Sequence, residues 1–210
     1  LPPLRMLQLS STRWLAVSHP LPPQWSDYSK LVLPILPQLP LAWETHQVSV
    51  YAVPEPLPRA YIVYQAVPAS SQTLALDLLR DARFDPQRAA VIEDAPASAR
   101  LPNRADLALT PARIVHFAAD AVRIEAEAQD DGLLVLTDTF YPGWRAWVDG
   151  AEQPIVRANL LFRGIIVGAG RHTVEFRYQP LSFQVGLGIA GVTLALMLLS
   201  GIFRRVKRKT

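Results

Sequence analysis

Two hydrophobic periods alternate along this chain, and from about residue 111 onward only the shorter one is left. In "AVRIEAEA", Val122, Ile124, Ala126 and Ala128 share one side, while Arg123, Glu125 and Glu127 share the other. A period of two predicts a half-buried strand. "TVEFRY" repeats it, with Val174, Phe176 and Tyr178 set against Thr173, Glu175 and Arg177. Between these two lie "LLVLTDTF", "RAWV", "PIVRA" and "FRGIIV", separated by the turn signals "QDDG", "YPGW", "DG" and "GAGR". Six or so short strands with tight turns predict an antiparallel sandwich.

The first half of the chain is mixed. A short helix is expected near Leu4–Leu9, then strands at Arg13–Ser18, Val48–Val53 and Ala60–Val67, with a further one around Leu31–Ile35. "SSQTLALDLLRDARF" has Leu74, Ala75, Leu78 and Leu79 at helical spacing, and Ser70 or Ser71 is placed to cap its first turn. "AAVIED" follows as a strand. The fold class expected is therefore α+β, mostly β. A small α/β unit with Pro-rich loops spans 1–110 and an antiparallel β-sandwich spans 111–180.

A different pattern closes the chain. "FQVGLGIAGVTLALMLLSGIF", residues 183–203, is 21 residues without a charge. As a helix it reaches about 30 Å, the thickness of a bilayer core. The basic tail 204–210 follows directly, and such residues favour the cytoplasmic side. The expectation is one C-terminal transmembrane helix, with residues 1–180 extracytoplasmic and the C-terminus cytoplasmic. The lipid bilayer is thus the first expected partner.

Composition then removes several classes of function. The net charge is +3, but five basic residues sit in the tail, and the remainder carries 16 basic against 18 acidic residues. A slightly acidic body is not a nucleic-acid binder. With no cysteine, zinc-thiolate sites, disulfides and thiol nucleophiles are excluded. The four histidines lack metal-ligand spacing, and no serine lies in a G-x-S-x-G elbow. No catalytic residue, metal site or cofactor is assigned.

One segment carries candidate chemistry. "DTFYPGWRAWVDG", Asp138–Gly150, concentrates aromatic residues around a turn. Read as a sugar platform, its rings stack on sugar C–H faces while charged neighbours bond hydroxyls. The candidate glycan-binding residues are Tyr141, Trp147, Arg145 and Asp138. Read as architecture, Trp144, Ala146 and Val148 face a core, and Trp147 beside Arg145 is the more exposed ring.

The ordered series "GLLVLTDTFYPGWRAWVDGAEQPIVRANLLFRGIIVGAGRHTVEFRYQPLSF" followed by an apolar helix resembles the end of the YfhO family of bacterial membrane proteins. "LPRAYIVYQAV" and "ALDLLRDARFDPQRAAVIED" resemble its upstream segment. The resemblance implies a C-terminal piece of a multi-spanning protein in the bacterial cell membrane. It also implies a missing N-terminal membrane domain similar to GT-C glycosyltransferases. Such a parent would use a polyprenyl-phosphate sugar donor to decorate envelope polymers such as lipoteichoic acid. The implied catalytic acid would lie in that missing region, so this part is expected to be inactive alone. It would bind acceptor glycan or support the membrane domain. The alternative is a non-enzymatic, membrane-anchored interaction or scaffold module.

Overall fold

A computed structural model describes residues 3–19, 30, 32–93, 101 and 103–207 of the chain. The first elements are α1 (Pro3–Leu9), β1 (Trp14–Ser18), a six-residue 3-10 helix (Leu33–Gln38), β2 (Leu41–Glu44) and β3 (Val48–Ala52). The strands form an antiparallel sheet in the order β1-β3-β2. Leu15, Val17, Val32, Ile35, Leu39 and Val53 fill a small core beneath it. The strand expected around Leu31–Ile35 is instead this 3-10 helix. Pro34 and Pro37 lack the N–H a ladder requires, and their fixed φ suits a tight helical turn.

Next come β4 (Ala60–Val63), β5 (Gln65–Pro68), α2 (Gln72–Arg80) and β6 (Ala89–Ile92). β5 and β6 pair in parallel across the α2 crossover. The Ser71 side chain accepts the Leu74 N–H at 3.2 Å, so Ser71 is the cap. The remaining strands are β7 (Thr110–Pro111), β8 (Arg113–Phe117), β9 (Ala121–Ala128), β10 (Gly132–Thr139), β11 (Trp144–Val148), β12 (Ala151–Gln153), β13 (Val156–Ala158), β14 (Phe162–Val167) and β15 (Gly170–Tyr178).

They build two sheets. A seven-stranded sheet runs β5-β6-β13-β14-β10-β4-β7, and a five-stranded one runs β12-β11-β15-β9-β8. Ile62, Leu134, Leu136 and Ile165 of the first meet Val122, Ile124, Val174 and Phe176 of the second across one core. The opposite face of the larger sheet packs Tyr61, Val63, Leu133 and Val135 against Ala75 and Leu79 of α2. This explains the apolar runs in β4 and β10: they are covered on both sides, whereas β9 alternates because its outer face meets solvent.

The large sheet takes β4, β5 and β6 from before residue 110 and β10, β13 and β14 from after it. The boundary expected at 110/111 therefore runs through a shared sheet. Residues 94–100 and 102, between β6 and β7, lie outside the described residues.

The last element is α3 (Leu181–Lys207), 27 residues long. The expected span over 183–203 falls inside it. Its side chains at Ala195 and from Leu198 onward, including the basic tail 204–210, lie outside the described residues. Among the described residues, no helix is long and apolar enough to cross a membrane. The described part of α3 is apolar and exposed at Leu181, Phe183, Val185, Leu187 and Ile189. A Cβ added at Gly186, Gly188 or Gly191 would meet nothing within 4 Å beyond its own chain neighbours and helix backbone.

Candidate functional site

The most structured candidate lies where the sandwich hands over to α3. β10 shifts register between Leu136 and Thr139, and this irregularity brings the Asp138 side chain to the sheet's end. Tyr141-Pro142-Gly143 then turns the chain into β11. Gly143 has φ of +99°, and a Cβ there would sit 2.9 Å from the Tyr178 ring and 3.2 Å from Pro180, so glycine is required twice over. The Gln179 N–H donates to the Gly143 carbonyl at 2.7 Å. This ties the turn to the two residues that lead into α3.

Around this junction opens a groove of about 570 Å³. Tyr141, Trp144, Tyr178 and Phe117 supply aromatic surface, and Arg59, Asp138 and Arg163 supply charge. Tyr141 is 60 % exposed. The Tyr178 ring lies 6.5 Å from Tyr141 and 5.5 Å from Trp144, centroid to centroid, both tilted. Arg59 sits over the Phe117 ring at 4.1 Å.

Arg163 forms the floor. Its side chain is only 3 % exposed. Its guanidinium carbon is 3.9 Å from the Trp144 ring centroid and 5.4 Å from that of Phe176. Nη2 donates to Asp138 Oδ2 at 2.9 Å. Nε and Nη1 are buried without a hydrogen-bond partner among the described residues. An unmet buried donor costs about 1–3 kcal/mol. Burial lowers the Arg163 pKa, Asp138 opposes that, and nearby Arg59 lowers it further. Arginine starts so high that the group remains a cation. Asp138 Oδ1 meanwhile accepts from Arg59 Nε at 3.2 Å and Nη2 at 3.0 Å. Two guanidiniums thus share one carboxylate.

The four residues singled out from the sequence do not form one site. Asp138 and Tyr141 line the groove. Arg145 and Trp147 stand on the outer face of the five-stranded sheet. There Arg145 pairs with Glu152 through two hydrogen bonds of 2.6 and 2.5 Å. Trp147 is half-buried, with Arg145 at 5.5 Å and Arg177 at 5.3 Å from its ring. Trp144 is also half-buried: it packs against the sandwich core and walls the groove. Sequence reasoning missed Arg59, Phe117 and Arg163. For Arg163 a signal existed, a charged residue inside the otherwise apolar run "FRGIIV".

A second groove of about 510 Å³ lies along the five-stranded sheet and is lined mainly by charged residues and His172. His172 Nδ1 lies 2.7 Å from Asp149 Oδ2, and the Thr173 N–H donates to Asp149 Oδ1 at 2.8 Å. That backbone bond, then His172, holds the Asp149 carboxyl below its usual range. Asp149 and Gly150 have φ of 51° and 84°, so these contacts belong to a tight hairpin turn. Among the described residues no group of three or more His, Cys, Asp or Glu side chains is placed to hold a metal.

Residues 102–190 match the family model described as bacterial membrane protein YfhO. No curated protein and no solved structure matches the chain. The matched stretch contains Phe117, Asp138, Tyr141, Trp144, Arg163 and Tyr178, whereas Arg59 lies upstream of it.

Proposed function

We infer that this chain, whose residues 102–190 are a YfhO-family membrane protein region, is the extracytoplasmic, membrane-anchored part of a lipid-carrier-dependent glycosyltransferase, and that its groove receives acceptor glycan. In this reading α3 crosses the bilayer over 183–203, residues 1–180 lie outside the cytoplasm, and the basic tail lies inside. The exposed apolar side chains of α3 support the span. At 1.5 Å per residue its 27 residues reach about 40 Å. The sugar transfer itself belongs to the parent's membrane domain, which draws on a polyprenyl-phosphate donor to modify envelope polymers such as lipoteichoic acid.

The observation that carries the glycan reading is the groove's composition. An exposed Tyr141 stands beside Trp144 and Tyr178, with Thr137 and Thr139 as hydrogen-bonding neighbours and Asp138 held between Arg59 and Arg163. Apolar ring faces accept sugar C–H groups, and a few fixed polar groups set orientation. The test is glycan binding by the full chain in neutral detergent, followed by tryptophan fluorescence against envelope polysaccharides. Tyr141→Ala is expected to abolish saturable binding and Trp147→Ala to leave it intact. A folded wild-type chain that binds none of them would overturn this reading.

A scaffold reading has its own observation. Trp14 and Trp43 are 61 % and 58 % exposed on the three-stranded sheet, with Leu41 also exposed. Exposed apolar surface of this kind suits a protein contact. Loss of association with the parent's membrane domain in a Trp14→Ser, Trp43→Ser double variant, with glycan binding absent throughout, would favour it.

A further inference from the structure

We propose that the groove at the root of α3 seats a phosphate ester, with Arg163 and Arg59 as its cationic anchors and Tyr141, Trp144 and Tyr178 flanking the rest of the molecule. The inference deepens the glycan reading and rests on its choice of groove.

Charge is the first argument. Arg59 and Arg163 face each other across Asp138 alone, so the cluster carries one excess positive charge. A neutral sugar leaves that charge uncompensated. An anion removes it.

Unmet hydrogen bonding is the second. Both Asp138 oxygens are already committed, Oδ1 to Arg59 and Oδ2 to Arg163. Arg163 nevertheless retains Nε and Nη1 without a partner, although its side chain is 3 % exposed. Arg59 is 44 % exposed at the rim and leads from solvent to that floor. A guanidinium presents fixed donors in a plane, a geometry suited to the several oxygens of a phosphate. Trp144 lies over the Arg163 guanidinium at 3.9 Å, so occupancy is expected to alter its surroundings and its fluorescence.

Position is the third. β15 ends at Tyr178 and α3 begins at Leu181. Where α3 enters a bilayer, the groove stands at the depth of headgroup phosphates, the level at which tyrosine and tryptophan collect in membrane proteins. The ester can thus come from the headgroup of an anionic phospholipid or from a soluble phosphorylated polyol or saccharide.

The test uses the full chain in neutral detergent micelles, titrated by calorimetry with sn-glycerol 3-phosphate and, in parallel, with glycerol. Saturable binding of the phosphate ester and none of glycerol is expected. Removing one charged partner is expected to weaken binding about tenfold or more. Arg59→Gln serves as the main variant, because that side chain is exposed enough to replace without unfolding. Arg163→Lys, which keeps the charge and loses the fork, is expected to bind at an intermediate level. Repeating the titration with phosphatidylglycerol added, against phosphatidylcholine added, separates the sources. Block by phosphatidylglycerol alone identifies a headgroup, and no block identifies a soluble ester. Both uphold the site. It is overturned if the wild type neither binds the ester nor retains phosphatidylglycerol over phosphatidylcholine, or if Arg59→Gln binds like the wild type. Tyr141-dependent binding of a neutral oligosaccharide without phosphate binding would sink this inference and leave the glycan reading standing. The reverse result would do the opposite.

Discussion

Asn159 shows how much one side chain can carry. It is 2 % exposed and adopts φ of 48°, a left-handed conformation that asparagine tolerates better than most residues. Its Oδ1 accepts the Val91 N–H at 2.8 Å, and its Nδ2 donates to the Tyr61 hydroxyl at 3.4 Å. Burial pushes the Tyr61 pKa well above its usual value, with the Asn159 bond opposing that slightly, so the hydroxyl stays protonated. Asn159→Ala leaves the Val91 N–H unmet in the core and is expected to cost about 1–3 kcal/mol. Chemical denaturation of the variant beside the wild type measures it, and an unchanged midpoint would refute the assignment. Legibility at this scale was uneven. Asp138 and Tyr141 stood out because they flank a conspicuous turn. Arg163 did not, because a lone arginine in a strand reads as a surface charge until the opposing sheet is seen to cover it. Trp147 was read as the more exposed of the two tryptophans, whereas both are half-buried; the cations on either side of Trp147 come from β11 and from β15, which pairs only in three dimensions.

At the level of elements, local chemistry was more informative. The period of two in β9 and β15 placed Val122, Ile124, Val174 and Phe176 in the core, where they lie. The cap of α2 was readable to within one residue, Ser70 or Ser71, and Ser71→Ala is expected to destabilise the fold by about 1 kcal/mol, as thermal or denaturant unfolding would report. Pairing partners were not readable. Gly132 opens β10 because a Cβ there would lie 2.6 Å from Ile62 Cγ2 of the neighbouring strand β4. Gly132→Ala is therefore expected to cost about 1–3 kcal/mol through overpacking. An unperturbed melting temperature would show that Ile62 yields freely. Nothing in the sequence near Gly132 announces this contact, because Ile62 lies far upstream.

For the whole molecule, acid sensitivity follows from its surface ion pairs. The Arg83 hydrogen bonds hold the Asp81 carboxyl at about 2, and those of Arg104 hold Asp106 at about 2. Both values lie below the ordinary carboxylate range near 4. Folded values below unfolded ones give stability that is present above that ordinary value and lost as pH falls through about 4 towards 2. Each pair is solvent-exposed, so the loss is modest. A melting temperature level from pH 7 to 5 and declining below about 4 is expected, with a shallower decline in Asp106→Asn. A decline of the same depth in both would remove Asp106 from the explanation. The mostly β character and the apolar terminal helix were legible because periodicity and length encode them directly. The division at 110/111 was not, since a composition change marks where helices stop, not where a sheet ends.

The shared sheet has a consequence for how the chain reaches its final form. β10 lies between β4 and β14, so its hydrogen bonds close only after segments some seventy residues apart in sequence have met. Chains dominated by such distant pairings fold slowly, because the entropy of loop closure comes before the reward. During synthesis β4 to β6 emerge first and wait, with the edge meant for β10 open. Release from the ribosome before β10 has emerged would leave that edge free to recruit a strand from another molecule. A chain cut to residues 102–190 keeps β10 but lacks β4 altogether. It is expected to aggregate on refolding where the longer chain does not, and light scattering during dilution from denaturant would register the difference.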